Sequence, residues 1–149
     1  MKIEISISDE QARSAFVRLA DLGRDMSPLM KKAAGHLEAA SDSAFEREAD
    51  SFTGAPWVPL APATIKQRVD LGLWPGKILD RRGASGLAGS VLSTFGTDFA
   101  EVSSDEQSAP FIQLGTSKMP ARRFLGFSDE TVDAIIGDAE QLLRETISG

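Results

Sequence analysis

The chain opens on a two-residue rhythm. In KIEISIS, residues 2–8, Ile3, Ile5 and Ile7 share one face while Lys2, Glu4 and Ser6 take the other. That alternation predicts a half-buried strand. The period then lengthens. Ser8 is placed to cap a helix, Gln11 completes a capping box, and Asp9 and Glu10 suit the positive helix start. Phe16, Leu19, Ala20 and Leu22 supply an apolar stripe that stops at Gly23. Ser27-Pro28 predicts a second helix, with serine as the cap and proline in the first turn, where its missing N–H costs nothing. Met30, Ala34, Leu37, Ser41, Ala44 and Phe45 recur at helical spacing to about Asp50. This alanine-rich face admits a close neighbour, either the sheet of the same chain or another subunit.

From Ser51 to Gly86 the periodicity is interrupted by Pro56, Pro59, Pro62 and Pro75 and by five glycines. A connection this long predicts an extended, mobile loop with a function of its own, carrying a short helix from Ala63 to about Leu71. Both tryptophans, Trp57 and Trp74, lie here. Each is either an anchor on the core or an interface hot spot. Leu87–Phe95 and Asp98–Ser104 then read as strands joined at Gly96-Thr97, and Phe111–Leu114 as a third strand of a meander, with Arg123–Phe127 a further edge. Ser128 caps the last helix, with Asp129 and Glu130 in its first turn and Val132, Ile135, Ile136, Ala139, Leu142, Leu143 and Ile147 on its apolar face. The expected fold class is α+β. An antiparallel sheet, made of the N-terminal strand and the meander, packs on two N-terminal helices and a C-terminal helix as a single domain over residues 1–149.

Charge adds a polarity to this picture. The net charge is −6, from 16 basic and 22 acidic residues. Between Leu60 and Leu125, however, eight basic residues face six acidic ones, while the flanks hold eight basic and sixteen acidic. A mildly basic middle between acidic ends permits head-to-tail complementarity between copies, and equally describes acidic helices that are simply solvated. With no cysteine there is no thiolate chemistry or disulfide framework. The start MKIEISISDE turns acidic too early for a signal peptide, and no apolar run approaches the ~18 residues of a membrane span. These features predict a protein made in the cytoplasm, with no membrane partner.

Candidate chemistry is sparse. The single histidine, His36, lies mid-helix without a second histidine or any cysteine, a poor basis for a metal site. No strand–turn–serine elbow accompanies it. GASGLAG, residues 83–89, lacks the spacing and lysine of a phosphate-binding loop. Acids such as Glu46, Glu48 and Asp50 read as a solvated helix face, so a glycosidase pair has no support beyond the abundance of carboxylates. The chain is therefore expected to be no enzyme, with no cofactor, metal or small-molecule substrate. Two basic clusters remain, Lys77, Arg81, Arg82 and Lys118, Arg122, Arg123, either solvated or touching phosphate or protein.

Four motifs bind these features together. Trp57-Val58-Pro59-Leu60-Ala61-Pro62-Ala63-Thr64-Ile65 is followed by Ile78-Leu79, by Ala109–Gly115 with Gln113, and by Pro120-Ala121-Arg122-Arg123-Phe124-Leu125-Gly126. In this order they resemble the phage virion morphogenesis, or tail completion, family typified by the G protein of Mu-like phages. The likeness covers about residues 50–130. The loop Asp80–Gly86 departs from the family pattern, as do Phe111 and Ile112, where the family often has tyrosine and histidine. The resemblance implies a structural protein of a phage or prophage virion, in the tail or neck, assembled in the host cytoplasm. It acts in tail completion or at the head–tail junction as a ring of identical subunits. Its partners would be other tail or connector proteins, with non-specific contact to passing DNA. The alternative is a small nucleic-acid-binding domain using the two basic clusters. Expected interface residues are Trp57, Trp74, Arg81, Arg82, Lys118, Met119, Arg122 and Arg123. In the richest stretch, Ala109–Ser128, Phe111, Ile112 and Leu114 are expected in a core strand. Lys118, Met119 and Arg122 are expected in an exposed loop, with Phe124, Leu125 and Phe127 seating the last helix.

Overall fold

A computed structural model describes residues 10–79 and 86–149. The predicted strand over residues 2–8, the Ser8 cap, the Phe16 side chain and the loop bearing Arg81 and Arg82 lie outside the described residues. The element order is α1 (Glu10–Arg24), α2 (Ser27–Arg47), α3 (Pro62–Asp70), a 3-10 turn (Ala88–Ser90), β1 (Val91–Phe95), β2 (Ala100–Ser104), α4 (Ala109–Leu114) and α5 (Asp129–Ser148). The fold is α+β, as its periodicities predict.

Helix α2 is the spine. Ser27 is its first helical residue and not its cap: Met26 holds the cap position without a side-chain cap hydrogen bond, and the Ser27 N–H donates to Asp25 Oδ1 at 3.0 Å. The helix ends where Glu48 takes a left-handed φ of 52° and returns its N–H to Ala44 O. The β1–β2 hairpin lies against α2, pairing antiparallel from Val91↔Ser104 to Phe95↔Ala100, with the Gly96 N–H on Phe99 O at 2.9 Å closing the turn. Helix α5 packs against both α1 and α2. Its start is the predicted one, with Ser128 Oγ accepting from the Thr131 N–H. Two polar links fasten the helices: His36 Nε2 to Asp138 Oδ2 at 2.7 Å, and Arg18 Nε to Thr146 O at 2.7 Å. The second places a cation on the free carbonyls of a helix end, where the helix dipole favours it.

Two expected strands are absent from the described sheet. Ala109–Leu114 is the short helix α4, not a third strand. Pro110 sits in its first turn, where a proline is pre-set for helix, and Ala109 is buried beneath it. In a helix Phe111 and Leu114, three residues apart, share one face, and here that face is the outer one. Phe111 is 58% exposed and Leu114 78%, leaving Ile112 to pack on the core. Arg123–Phe127 is irregular, with a bend at Leu125, and pairs with no strand. Residues 51–79 carry the predicted short helix as α3, and an isolated bridge between Ala49 and Pro56 folds the chain back on the end of α2. The core collects Ala44, Trp57, Leu87, Ala109 and Phe124, flanked by Phe45, Ile78 and Leu125.

Candidate functional site

The centre of the molecule is the irregular strap from Arg122 to Gly126, threaded between α2, α4 and the 51–59 segment. Phe124 is fully buried, its ring 5.3 Å from that of Phe45 on α2. A segment outside helix and sheet in the interior needs partners for every backbone group, and here side chains supply most of them. Ser41 Oγ, also buried, donates to Phe124 O at 2.6 Å. Gln113 Oε1 accepts from the N–H groups of Phe124 and Leu125 at 3.0 and 3.1 Å, and Gln113 Nε2 donates to Leu125 O at 2.7 Å. One glutamine on a short helix thus stands in for a neighbouring strand. The Arg122 N–H reaches Ile112 O at 2.8 Å. On the far side, Arg123 O accepts from the Ser51 N–H at 3.1 Å and from Trp57 Nε1 at 3.2 Å.

Glycine makes the entry and exit of the strap possible. Gly115 ends α4 at φ 75°, and a Cβ there would stand 2.8 Å from Ala121 N. At Gly126 a Cβ would meet the Phe52 ring at 2.4 Å.

The two arginines diverge. Arg122 is 5% exposed and points inward, its Nε on Val58 O at 2.8 Å and its Nη2 on Pro59 O at 3.0 Å. This corrects the expectation of an exposed-loop residue: the side chain clamps a segment some sixty residues earlier. Burial, and then the neighbouring Arg68 guanidinium, push its pKa below the ordinary arginine value. Arg68 is buried too, donating to Lys77 O and Ile78 O. Arg123 pairs with Asp50, Nε to Oδ2 at 2.6 Å, and its guanidinium lies 4.7 Å over the Phe52 ring. Partial burial raises the Asp50 carboxyl, but Arg123 and the N–H groups of Thr53 and Phe52 outweigh it and hold the pKa below the usual carboxylate range.

The remaining candidates scatter. Trp57 is buried in the core, its ring edge-on to Phe45 at 6.0 Å, so its bulk is an internal anchor. Trp74 is partly exposed, Lys118 is exposed in the turn between Thr116 and Met119, and Met119 is half-buried. Phe127 is half exposed against Phe52, at 5.8 Å between ring centroids, so Phe124 and Leu125 do most of the seating. A cavity of about 1110 Å³ opens beside Arg122, lined also by Arg68, Leu60, Ile112, Lys118 and Met119. Sequence reasoning placed Gln113 in a motif and Ser41 on a helical stripe but neither at its task, and it read Asp50 as part of a solvated helix face, whereas Asp50 lies beyond the helix and pairs with Arg123. A lone polar serine on the apolar face of α2 was the available signal. No group of three or more metal-ligating side chains occurs among the described residues, and no described helix is long and apolar enough to cross a membrane.

These features define a small α+β protein whose central polar side chains hold one backbone segment to another. Residues 7–144 match the model of the Phage virion morphogenesis family, and the chain belongs to that family. It is 36% identical over 137 residues to Mu-like prophage FluMu G protein 1 of Haemophilus influenzae, covering 91% of this chain and 90% of that one. It is 29% identical over 156 residues to the Putative capsid assembly protein G of Escherichia phage Mu, covering 99% and 96%. No solved structure matches it.

Proposed function

We propose that this chain is a structural subunit of a phage or prophage particle. It acts in tail completion or at the head–tail junction, in the tail or neck, as a ring of identical copies and without a catalytic step. The observation that carries this reading is the family match along nearly the whole chain, supported by a relative described as a capsid assembly protein. The surface is consistent with such a role. Phe99 beside the hairpin, Phe111 and Leu114 on α4, and Ile136, Leu143 and Ile147 on α5 are all roughly half exposed or more, and exposed apolar area of this kind calls for partners. The nucleic-acid alternative gains nothing from the second basic cluster, since Arg122 and Arg123 are engaged inside the chain and Lys118 alone stands free of the fold.

Deleting the gene from its phage or prophage, with complementation in trans, tests the proposal. Electron microscopy of lysates should show unjoined heads and tails, or incomplete tails, with infectivity restored by the complementing copy. Normal infectious particles from the deletion would refute it.

A further inference from the structure

The cavity beside Arg122 contains a buried positive charge that has no ion-pair partner among the described residues. The guanidinium donates only to two neutral carbonyls and makes no ion pair with any carboxylate among the described residues. A second buried guanidinium, Arg68, lines the same cavity and repels it, although Arg68 has interactions of its own and the uncompensated charge is that of Arg122. Among the described lining residues the carboxylate is Glu106, which has an interaction of its own and no ion pair with Arg122. Lys118 stands exposed at the rim, adding a third cation. Buried cations are ordinarily balanced by an anion in contact with them. The walls, Leu60, Ile112 and Met119, are apolar, so the complementary ligand is a carboxylate framed by hydrocarbon.

The same chain carries such a surface elsewhere. On α5, Ile136, Leu143 and Ile147 are each about half exposed and lie on one face, at spacings of seven and four residues. Glu140 stands between them, one turn from Ile136 and one short turn from Leu143, with Arg144 at 4.0 Å from its carboxylate. None of these residues lines the cavity, so the two surfaces do not meet within one copy. Uncovered acidic-apolar helix and under-neutralised basic-apolar cavity are different patches of one molecule. Joining them gives a heterologous contact, the kind that closes rings.

We infer that the outer face of α5 from a second copy docks on the Arg122 cavity, with Glu140 as the carboxylate presented to Lys118 and the guanidinium behind it. This rests on the ring reading proposed above and supplies its interface.

Reciprocal charge reversal tests it on the full chain, with self-association followed by sedimentation equilibrium at low salt. Lys118 and Glu140 are both exposed, so circular dichroism should report unchanged folding in Lys118→Glu and Glu140→Lys. Each single variant should weaken self-association by about tenfold or more, as like charges meet across the contact. The double variant should return to within about threefold of the parent, a rescue that a purely structural role does not produce. Parent protein that self-associates while ignoring these substitutions, or a double variant no better than the singles, overturns this interface and leaves the ring reading standing. A parent that stays monomeric at every concentration overturns both. A monomer that instead binds a short DNA duplex, and loses it in Lys118→Glu, assigns the cavity to phosphate and overturns the inference.

Discussion

Replacing Arg122 by alanine should destabilise the fold, and the size of the loss follows from its surroundings. The substitution removes two charge-assisted hydrogen bonds, to Val58 O and Pro59 O, from a side chain that is 5% exposed. Hydrogen bonds to charged groups contribute roughly 1.5–3 kcal/mol each. The lower end applies here, because Val58 is half exposed and water can reach the released carbonyls. Losing the buried stem adds about 1 kcal/mol of packing. Against this, a desolvated cation beside Arg68 disappears, a relief of about 1 kcal/mol. The net loss is about 3 kcal/mol, which for a chain of this length lowers Tm by about 6–12 °C. Thermal and urea unfolding followed by circular dichroism measure it directly, with an unchanged m-value showing that the denatured state is not the cause. A variant with the parent's Tm, to within about 2 °C, would show that the clamp bears no stability and that the contact is incidental.

Three other substitutions probe the strap. Phe124→Ala empties a fully buried aromatic site against Phe45 and should cost about 3–5 kcal/mol in urea unfolding; a loss below about 1 kcal/mol would show that the site collapses freely. Gln113→Glu keeps two acceptor bonds but turns the third into an oxygen facing Leu125 O, so it should lose about 1–3 kcal/mol at neutral pH, whereas Gln113→Glu as stable as the parent would dismiss the strand-mimicking role. Asp50→Asn should remove an acid-sensitive contribution. The folded pKa of Asp50 lies below its unfolded value, so the Arg123 pair stabilises fully above the unfolded value of about 3.9 and is lost as pH falls through the folded one. Because the Arg123 side chain is 40% exposed, the expected difference is only about 1 kcal/mol at pH 7, shrinking below about pH 4; a difference independent of pH would contradict it.

Much of the architecture was legible in the chain because its periodic segments are long or well capped. Helices α2, α3 and α5 and the β1–β2 hairpin fall close to their predicted positions. Helix α4 was not legible, since six residues span under two turns and Phe111, Ile112 and Leu114 satisfy a strand pattern as well as a helical one. Pro110 was the overlooked cue. At the candidate site the four motifs located the right segments, yet the roles inside them depend on contacts made far away in sequence. Arg122 looks like a loop cation until Val58 and Pro59 are brought beneath it, and Trp57 looks like a hot spot until Phe45 and Phe124 enclose it. Burial of a charge is decided by tertiary packing, and no local pattern carries that information.

The side-chain ladder around Phe124 has a further consequence. An extended segment with open hydrogen-bonding flanks is a template for mispairing with another chain. Here one flank is closed by a glutamine amide on α4 and the other by an indole, a serine hydroxyl and the Ser51 N–H, groups that cannot be extended by one more strand. The strap thus offers another chain no open flank to pair with, and copies can be brought close together without this segment exchanging between them.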